Sequence, residues 1–330
     1  MPSPAKLTAE ERSFIQGKWI EASTLLSLKN WYPVSICPQE LEIYWRDMGQ
    51  QRFYSSFFQN TLNEQAHDQR RVCKTSFSAL TQFEQSLEPT AFVFHVSRCG
   101  STLLTQALST LESCVVLSEP PVIDAFLRAH KVTDETNLRR FQQLIAALGQ
   151  QRFTNEKHLI IKLDSWHLGR LDFIRQAYPK TPMLFLYRDP QQVLDSHRRQ
   201  RGPQMVPGLV DLGDLQISQE NLSPGDLDGY CLKLLAQFYS AAITHLDDRL
   251  LHLINYQELP AAIWEDILER LNIECSEHEK QQMKTRSQFH SKHPHQFFQG
   301  DAAIKTRHAF LNDALALYQQ LESSRITQRA

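Results

Sequence analysis

Several short stretches of this chain carry side chains able to hold and work on a multiply charged anion. Ser97-Arg98-Cys99-Gly100-Ser101-Thr102 follows the apolar run AFVFHV. It precedes TLLTQALSTLE, where Leu104, Ala107, Leu108 and Leu111 fall at helical spacing. A strand, a tight turn with Gly and a helix N-terminus gather backbone N–H groups, and the helix dipole favours negative charge there. Arg98 adds a permanent positive charge, and Ser101 and Thr102 add hydroxyl donors. Glu119 stands just after CVVLS, where a partly buried carboxylate can act as a general base. Lys162 lies in HLIIKL, where an ammonium is costly to bury without an anion. Arg188 follows PMLFLY and offers a bidentate grip on a phosphate; Ser196 adds a hydroxyl eight residues later. Tyr256 ends LLHLINY, where it either flanks a base or phosphate or packs in the core.

Two chemistries use such a loop. Nucleoside triphosphate chemistry needs GxxxxGK[ST], whose Lys and first Gly are missing here. Asp164, just past LIIKL, is the residue that could hold a metal for a kinase. Sulfuryl transfer needs a cradle for a 5′-phosphosulfate and no metal.

The elements that must position these residues read as an α/β fold. AFVFHVS, CVVLS, HLIIKL (158–163), PMLFLY (182–187) and LLHLINY (250–256) are buried-strand candidates. LGRLDFIRQAY, PQQVLDSHRRQ, DGYCLKLLAQFYSAAITHL and PAAIWEDILERLN are helical stretches between or after them. Alternating strands and helices predict a three-layer parallel sheet with a P-loop-like strand–turn–helix at 91–108, and ligands bind beyond the carboxyl ends of such strands. Residues 1–88 are expected to form a mostly helical region. There Thr8 to Glu11 fits a capping box, and the aromatics of LEIYWRDMG and FYSSFFQNTL either pack a core or face an acceptor as a cap. Residues 89–330 form the α/β domain. The stretch 202–225, rich in Gly, Pro and polar residues, reads as a lid or binding loop.

Composition excludes several classes. The chain has 330 residues, 42% hydrophobic and 22% charged, with net charge -2. That is a globular mix, and it has no global attraction for nucleic acid or an anionic membrane. The six cysteines are scattered without a CxxC, which favours reduced thiols over a disulfide framework or a zinc ribbon. The N-terminus lacks a long apolar segment, and no run of about 18 apolar residues occurs. A cytoplasmic protein is the expectation.

HVSRCGSTLL resembles the 5′-phosphosulfate loop of the sulfotransferases, in the variant with Arg in place of Lys. FLYRDPQQVLDSH resembles their 3′-phosphate motif, with Arg188 and Ser196 in the anchoring positions. The spacing is most like that of the protein-tyrosine sulfotransferases. In that pattern a catalytic Glu follows the loop Arg by 21 residues, which is Glu119, and a Lys precedes the motif Arg by 26, which is Lys162. Tyr256-Gln257-Glu258-Leu259 is similar to a later Tyr-Glu-x-Leu motif. The likeness spans about residues 91–275; Cys99 departs from it where Ser is common, and residues 1–90 match nothing in it.

The resemblance implies a P-loop-like fold and use of 3′-phosphoadenosine 5′-phosphosulfate without metal. Glu119 would be the base, with Lys162 and Arg98 stabilising the sulfonate and leaving oxygen. Cys99, Gly100, Ser101, Thr102, Arg188, Ser196 and Tyr256 would bind the nucleotide, and Lys292 or Arg286 would close over it. The plainer readings are Glu119 as a capping or salt-bridged carboxylate and Lys162 as a partner of Asp164. Asp189-Pro190 fits an N-cap and first helical position. His95 and His130 are fallback bases, and His95 also reads as a satisfied core histidine. His290, His293 and His295 form HxxHxH, which could hold a metal, but the Ser, Lys and Pro around it favour an exposed loop. Arg198-Arg199-Gln200-Arg201 reads as a solvated helix end, or as a grip on an anionic acceptor. The expected partner is a small-molecule acceptor, with a hydroxyl or an amine as the group modified. A metal-dependent kinase and a non-catalytic nucleotide binder are the alternatives.

Overall fold

The computed structural model describes residues 7–37, 41–83, 85–218, 220–290, 293–297 and 308–329. Its strands in chain order are β1 (Lys18–Trp19), β2 (Trp31–Cys37), β3 (Glu42–Asp47), β4 (Arg71–Ser76), β5 (Pro89–His95), β6 (Cys114–Ser118), β7 (His158–Lys162), β8 (Met183–Tyr187) and β9 (Leu251–Asn255). Phe289–His290 and His293–Phe297 add a short antiparallel ladder. The helices used below are α1 (Ala9–Phe14), α2 (Phe58–Glu64), α3 (Ser101–Leu108), α4 (Pro121–Ala129), α5 (Glu135–Leu148), α6 (Leu171–Ala177), α7 (Pro190–Arg199), α8 (Leu227–Ile243), α9 (Leu268–Arg270), α10 (Glu277–Ser287) and α11 (Leu311–Arg329).

The chain divides into two units. The first holds residues 1–90 and 108–162, the second 91–107 and 163–330. In the first, residues 1–88 correct the expectation of a mostly helical region. They build a four-stranded sheet in the order β1-β4-β3-β2, antiparallel except for β1 with β4. The cause is local. WYPVSIC and EIYWRD are β-branched and aromatic, and β2 is buried along its whole length. Burial on both faces removes the alternation that marks a half-exposed strand, so the aromatic spacing looks uneven. Pro33 is tolerated because β2 is the last strand of the order and its register shifts at Pro33/Ser35. The capping box at Thr8–Glu11 forms as expected, and FYSSFFQNTL contributes α2. The same unit carries the parallel pair β6–β7, registered from Cys114–His158 to Ser118–Lys162.

In the second unit β5, β8 and β9 form parallel ladders in that order. Their apolar runs are buried on both faces, with Phe92, Phe94, Leu184, Phe185 and Leu186 fully inaccessible. Helices α3, α7 and α8 lie between them in sequence, so the protein is α/β, as the alternating runs predict. Each of the five predicted buried strands forms within two residues of its expected bounds. Among the described residues no helix is long and apolar enough to cross a membrane, and no cysteine forms a disulfide.

Candidate active site

The second unit carries the predicted strand–turn–helix. β5 ends at His95, and the chain turns through Val96–Gly100 into α3. Ser97, Arg98 and Gly100 have φ of 70°, 52° and 84°. Two of these are non-glycine residues in the left-handed region, a costly conformation that persists only when its surroundings enforce it. His95 is part of that enforcement. Its Nδ1 lies 3.0 Å from the Ser97 N–H, and its Nε2 lies 3.0 Å from the Leu163 carbonyl. The neutral tautomer with the proton on Nε2 satisfies both bonds. His95 is therefore a satisfied core histidine that shapes the turn, the plainer of its two readings.

Gly100 is required for space as well as for φ. A Cβ there would stand 2.6 Å from Leu259 Cδ1 and 3.0 Å from Tyr256 Cδ2. Tyr256 and Leu259 thus roof the turn closely. Cys99, Ser101 and Thr102 are buried at its base. Arg98 donates from Nη2 to the Gln200 carbonyl at 2.5 Å and to Gln200 Oε1 at 3.3 Å. Its guanidinium caps the end of α7.

Arg188 leaves the carboxyl end of β8 directly beside this turn. Its Nη1 donates to the Arg98 carbonyl at 3.1 Å, and its Nε to Gln192 Oε1 at 3.0 Å. The guanidinium lies 4.0 Å over the Tyr256 ring, and the Arg188 carbonyl accepts from Tyr239 Oη at 2.7 Å. Burial holds the Tyr239 phenol well above its ordinary range, so it stays a donor. The fold-back is local: Asp189 accepts from the Gln192 N–H at 3.0 Å and Pro190 takes the first turn, as expected of that pair. Ser196 stands one helical turn beyond Gln192 on the same face of α7. Arg98, Gly100, Arg188 and Tyr256 are therefore brought together, with Ser196 on the adjoining helix.

Other basic residues are committed elsewhere. Arg198 and Arg201 both pair with Asp228, at 2.7 and 2.5 Å, and Arg198 also reaches Asp195 at 3.3 Å. Helix α8 thus takes up two charges of the Arg198–Arg201 run. Arg286, on α10, donates to Gln106 Oε1 of α3 at 2.7 Å, and burial pulls its guanidinium below the ordinary value. Lys292 lies outside the described residues, as do the side chains of His290, His293 and His295. Asp164 caps the turn Ser165–Arg170 in a reciprocal box with His167.

The first unit carries the ion pair of Glu119 and Lys162. Ser118 and Lys162 are opposite one another at the ends of β6 and β7. Glu119 follows with φ 54°, its N–H donating to the Lys162 carbonyl at 2.7 Å. That strained turn swings the carboxylate onto the ammonium: Nζ and Oε1 are 2.5 Å apart. The Lys162 side chain is 1% exposed and that of Glu119 is 23%. The pair thus has a buried cation and a carboxylate that faces water. Phe57, ahead of α2, places its ring 5.0 Å from Nζ. His130, the other fallback base, stacks on Phe126 at 4.2 Å with its Nδ1 at the Phe126 carbonyl, and burial lowers its pKa. It closes a helix end.

Sequence reasoning passed over Gln192 and Tyr239, and gave Gln200, Leu259 and Phe57 no role of their own within the stretches that contain them. Gln192 was findable, since it lies four residues after Arg188 on a predicted helix. Tyr239 comes from a distant segment with no motif.

No family model and no curated protein matches the chain. Solved structures do. The sulfotransferase domain of the Synechococcus PCC 7002 olefin synthase shares 14% identity over 72% of this chain and 96% of its own, with a TM-score of 0.44. The sulfotransferase STF9 from Mycobacterium avium shares 12% over 76% and 78%, with a TM-score of 0.46. A mouse sulfotransferase complexed with PAP shares 12% over 75% and 87%, with a TM-score of 0.38. Each is a protein to which the chain is similar.

Proposed function

We propose that the chain is a sulfotransferase that moves a sulfonate from 3′-phosphoadenosine 5′-phosphosulfate to a hydroxyl or amine of a small-molecule acceptor. The observation that carries this reading is the clamped Arg188. A guanidinium fixed by the Arg98 carbonyl, Gln192 and the Tyr256 ring stands beside the strand–turn–helix cradle. A donor with phosphates at two separate positions uses both features, and the 3′-phosphate gives Arg188 and Ser196 a purpose.

In this reading the turn at Ser97–Thr102 binds the 5′-phosphosulfate, with Arg98, Cys99, Gly100, Ser101 and Thr102 around it. Arg188, Ser196 and Tyr256 hold the 3′-phosphate end, and Lys292 is assigned to the nucleotide as well. Glu119 removes the proton of the acceptor group as its oxygen or nitrogen attacks sulfur. The bond from sulfur to the phosphate oxygen breaks, and Lys162 and Arg98 stabilise the charge on that oxygen and on the sulfonate. Adenosine 3′,5′-bisphosphate leaves, and no metal takes part. The ion pair supports these roles: it brings a carboxylate oxygen and the ammonium within 2.5 Å of each other, with the carboxylate partly open to water. The sheet-containing N-terminal region serves as acceptor-side cap, a role supported by Phe57 beside Lys162. Nucleic acid and membrane are not partners in this reading, and the compartment is the cytoplasm.

The test is calorimetric titration of the whole chain with adenosine 3′,5′-bisphosphate, beside ADP with and without magnesium. Metal-independent binding of the bisphosphate, about tenfold or more tighter than ADP and lost in Arg188→Ala, is the expected result. Preference for magnesium-ADP would overturn it in favour of a kinase. Turnover then separates enzyme from binder: Glu119→Gln lowers kcat about a hundredfold or more while the bisphosphate still binds.

A further inference from the structure

We propose that helix α11 is a positioning element for the nucleotide clamp, with Glu322 and Arg325 setting the geometry of the Arg188–Tyr256 stack. This inference rests on the function proposed above. Tyr187 and Asn255 are partners at the last rung of β8 and β9. The next residue of each strand is Arg188 and Tyr256, whose guanidinium and ring stack at 4.0 Å. Such a face contact holds only if both strand ends stop in fixed relation. Tyr256 packs over Gly100, where a Cβ would stand 3.0 Å from its Cδ2.

Three side chains of α11 fasten that rung. Tyr318 Oη accepts from Asn255 Nδ2 at 2.8 Å. Glu322 accepts from Tyr187 Oη in a short hydrogen bond. Arg325 donates to Glu322 through Nε and Nη2, at 3.1 and 2.9 Å, and through Nη1 to Glu258 at 2.8 Å. Glu258 closes the circuit by accepting from the Asn255 N–H at 2.9 Å. Positions 318, 322 and 325 share one helix face. Arg325 and Glu258 are each 15% exposed at the side chain, so neither is a loose surface charge. Apolar packing alone would hold α11 against the sheet without direction. Directed bonds to both strand ends fix angle and register, which a cation–ring stack needs. Glu258, one of the four residues of the Tyr256-Gln257-Glu258-Leu259 stretch, thereby acquires a function: it carries the pull of Arg325 to the turn that bears Tyr256.

The experiment compares the full chain with Arg325→Met and Glu258→Gln by calorimetry, using adenosine 3′,5′-bisphosphate and adenosine 5′-monophosphate. The second nucleotide lacks the 3′-phosphate. The wild type prefers the bisphosphate, and both variants reduce that preference about tenfold with less than about a twofold change for the monophosphate. Arg325→Lys, which keeps the charge but loses the fork, falls between wild type and Arg325→Met. Glu258→Gln keeps an acceptor for the Asn255 N–H and covers the case in which Arg325→Met fails to fold. An unchanged preference in the folded variants overturns the proposal, and so does equal weakening of both nucleotides, which marks general loosening. A wild type without preference refutes the donor assignment itself and shows itself before any variant is made.

Discussion

Removing either partner of the Glu119–Lys162 pair should not cost the same. The ammonium is 1% exposed and the carboxylate 23% exposed, at 2.5 Å. Glu119→Ala leaves a buried cation without its carboxylate, for which the cost is about 3 kcal/mol or more. Lys162→Met leaves a carboxylate that can turn to water, and the thioether fills the space of the stem against Phe57, so about 1 kcal/mol is expected. The double variant removes the stranded charge and should be more stable than Glu119→Ala alone, giving a coupling of about 2 kcal/mol. Urea unfolding followed by tryptophan fluorescence reads this, since Trp19, Trp31 and Trp45 all lie in the first unit. At a typical slope the larger effect moves the midpoint by about 1 M. If Lys162→Met is the costlier change, or the double variant equals the sum of the singles, burial asymmetry does not govern the pair.

Two more outcomes follow from the geometry. Gly100→Ala meets Leu259 Cδ1 at 2.6 Å and takes a residue with Cβ to φ 84°, so bisphosphate affinity should fall about tenfold or more; unchanged calorimetry would show that the roof yields freely. Burial lowers the pKa of His130, His158 and His252 below the ordinary 6.5. As pH falls through 6.5 the unfolded chain takes up protons that the folded chain resists, so unfolding free energy should drop between pH 7.5 and 5.5. Equilibrium unfolding at the two values checks the sign, and His252→Asn should flatten the slope.

The sheet of the second unit was legible because its strands are short apolar runs closed by polar turns, and burial on both faces writes that pattern directly. The clamp was legible for a different reason. Arg188, Asp189 and Pro190 form a local unit in which strand end, N-cap and first turn fall in sequence order. The N-terminal sheet was not legible, because Pro33 and Ser35 break the apolar run of β2 and Glu42, Arg46 and Asp47 that of β3, so neither an unbroken apolar run nor a clean alternation marks them. The supports of the site were hidden for topological reasons. Tyr239, Leu259 and Arg325 reach it from segments 51, 71 and 137 residues beyond Arg188, and no local spacing encodes such a meeting. Glu119 and Lys162 were singled out through the family resemblance, while their direct contact depends on a left-handed residue at Glu119 that residue type does not announce.

Arg98 closes the turn after β5 with its carbonyl and the end of α7 with its side chain. The Gln200 carbonyl is where the helix stops, and the Gly- and Pro-rich stretch from Gly202 begins two residues later. One residue thus ties the turn to both ends of α7: its carbonyl holds Arg188 just ahead of the helix, and its side chain holds the carbonyl at which the helix stops.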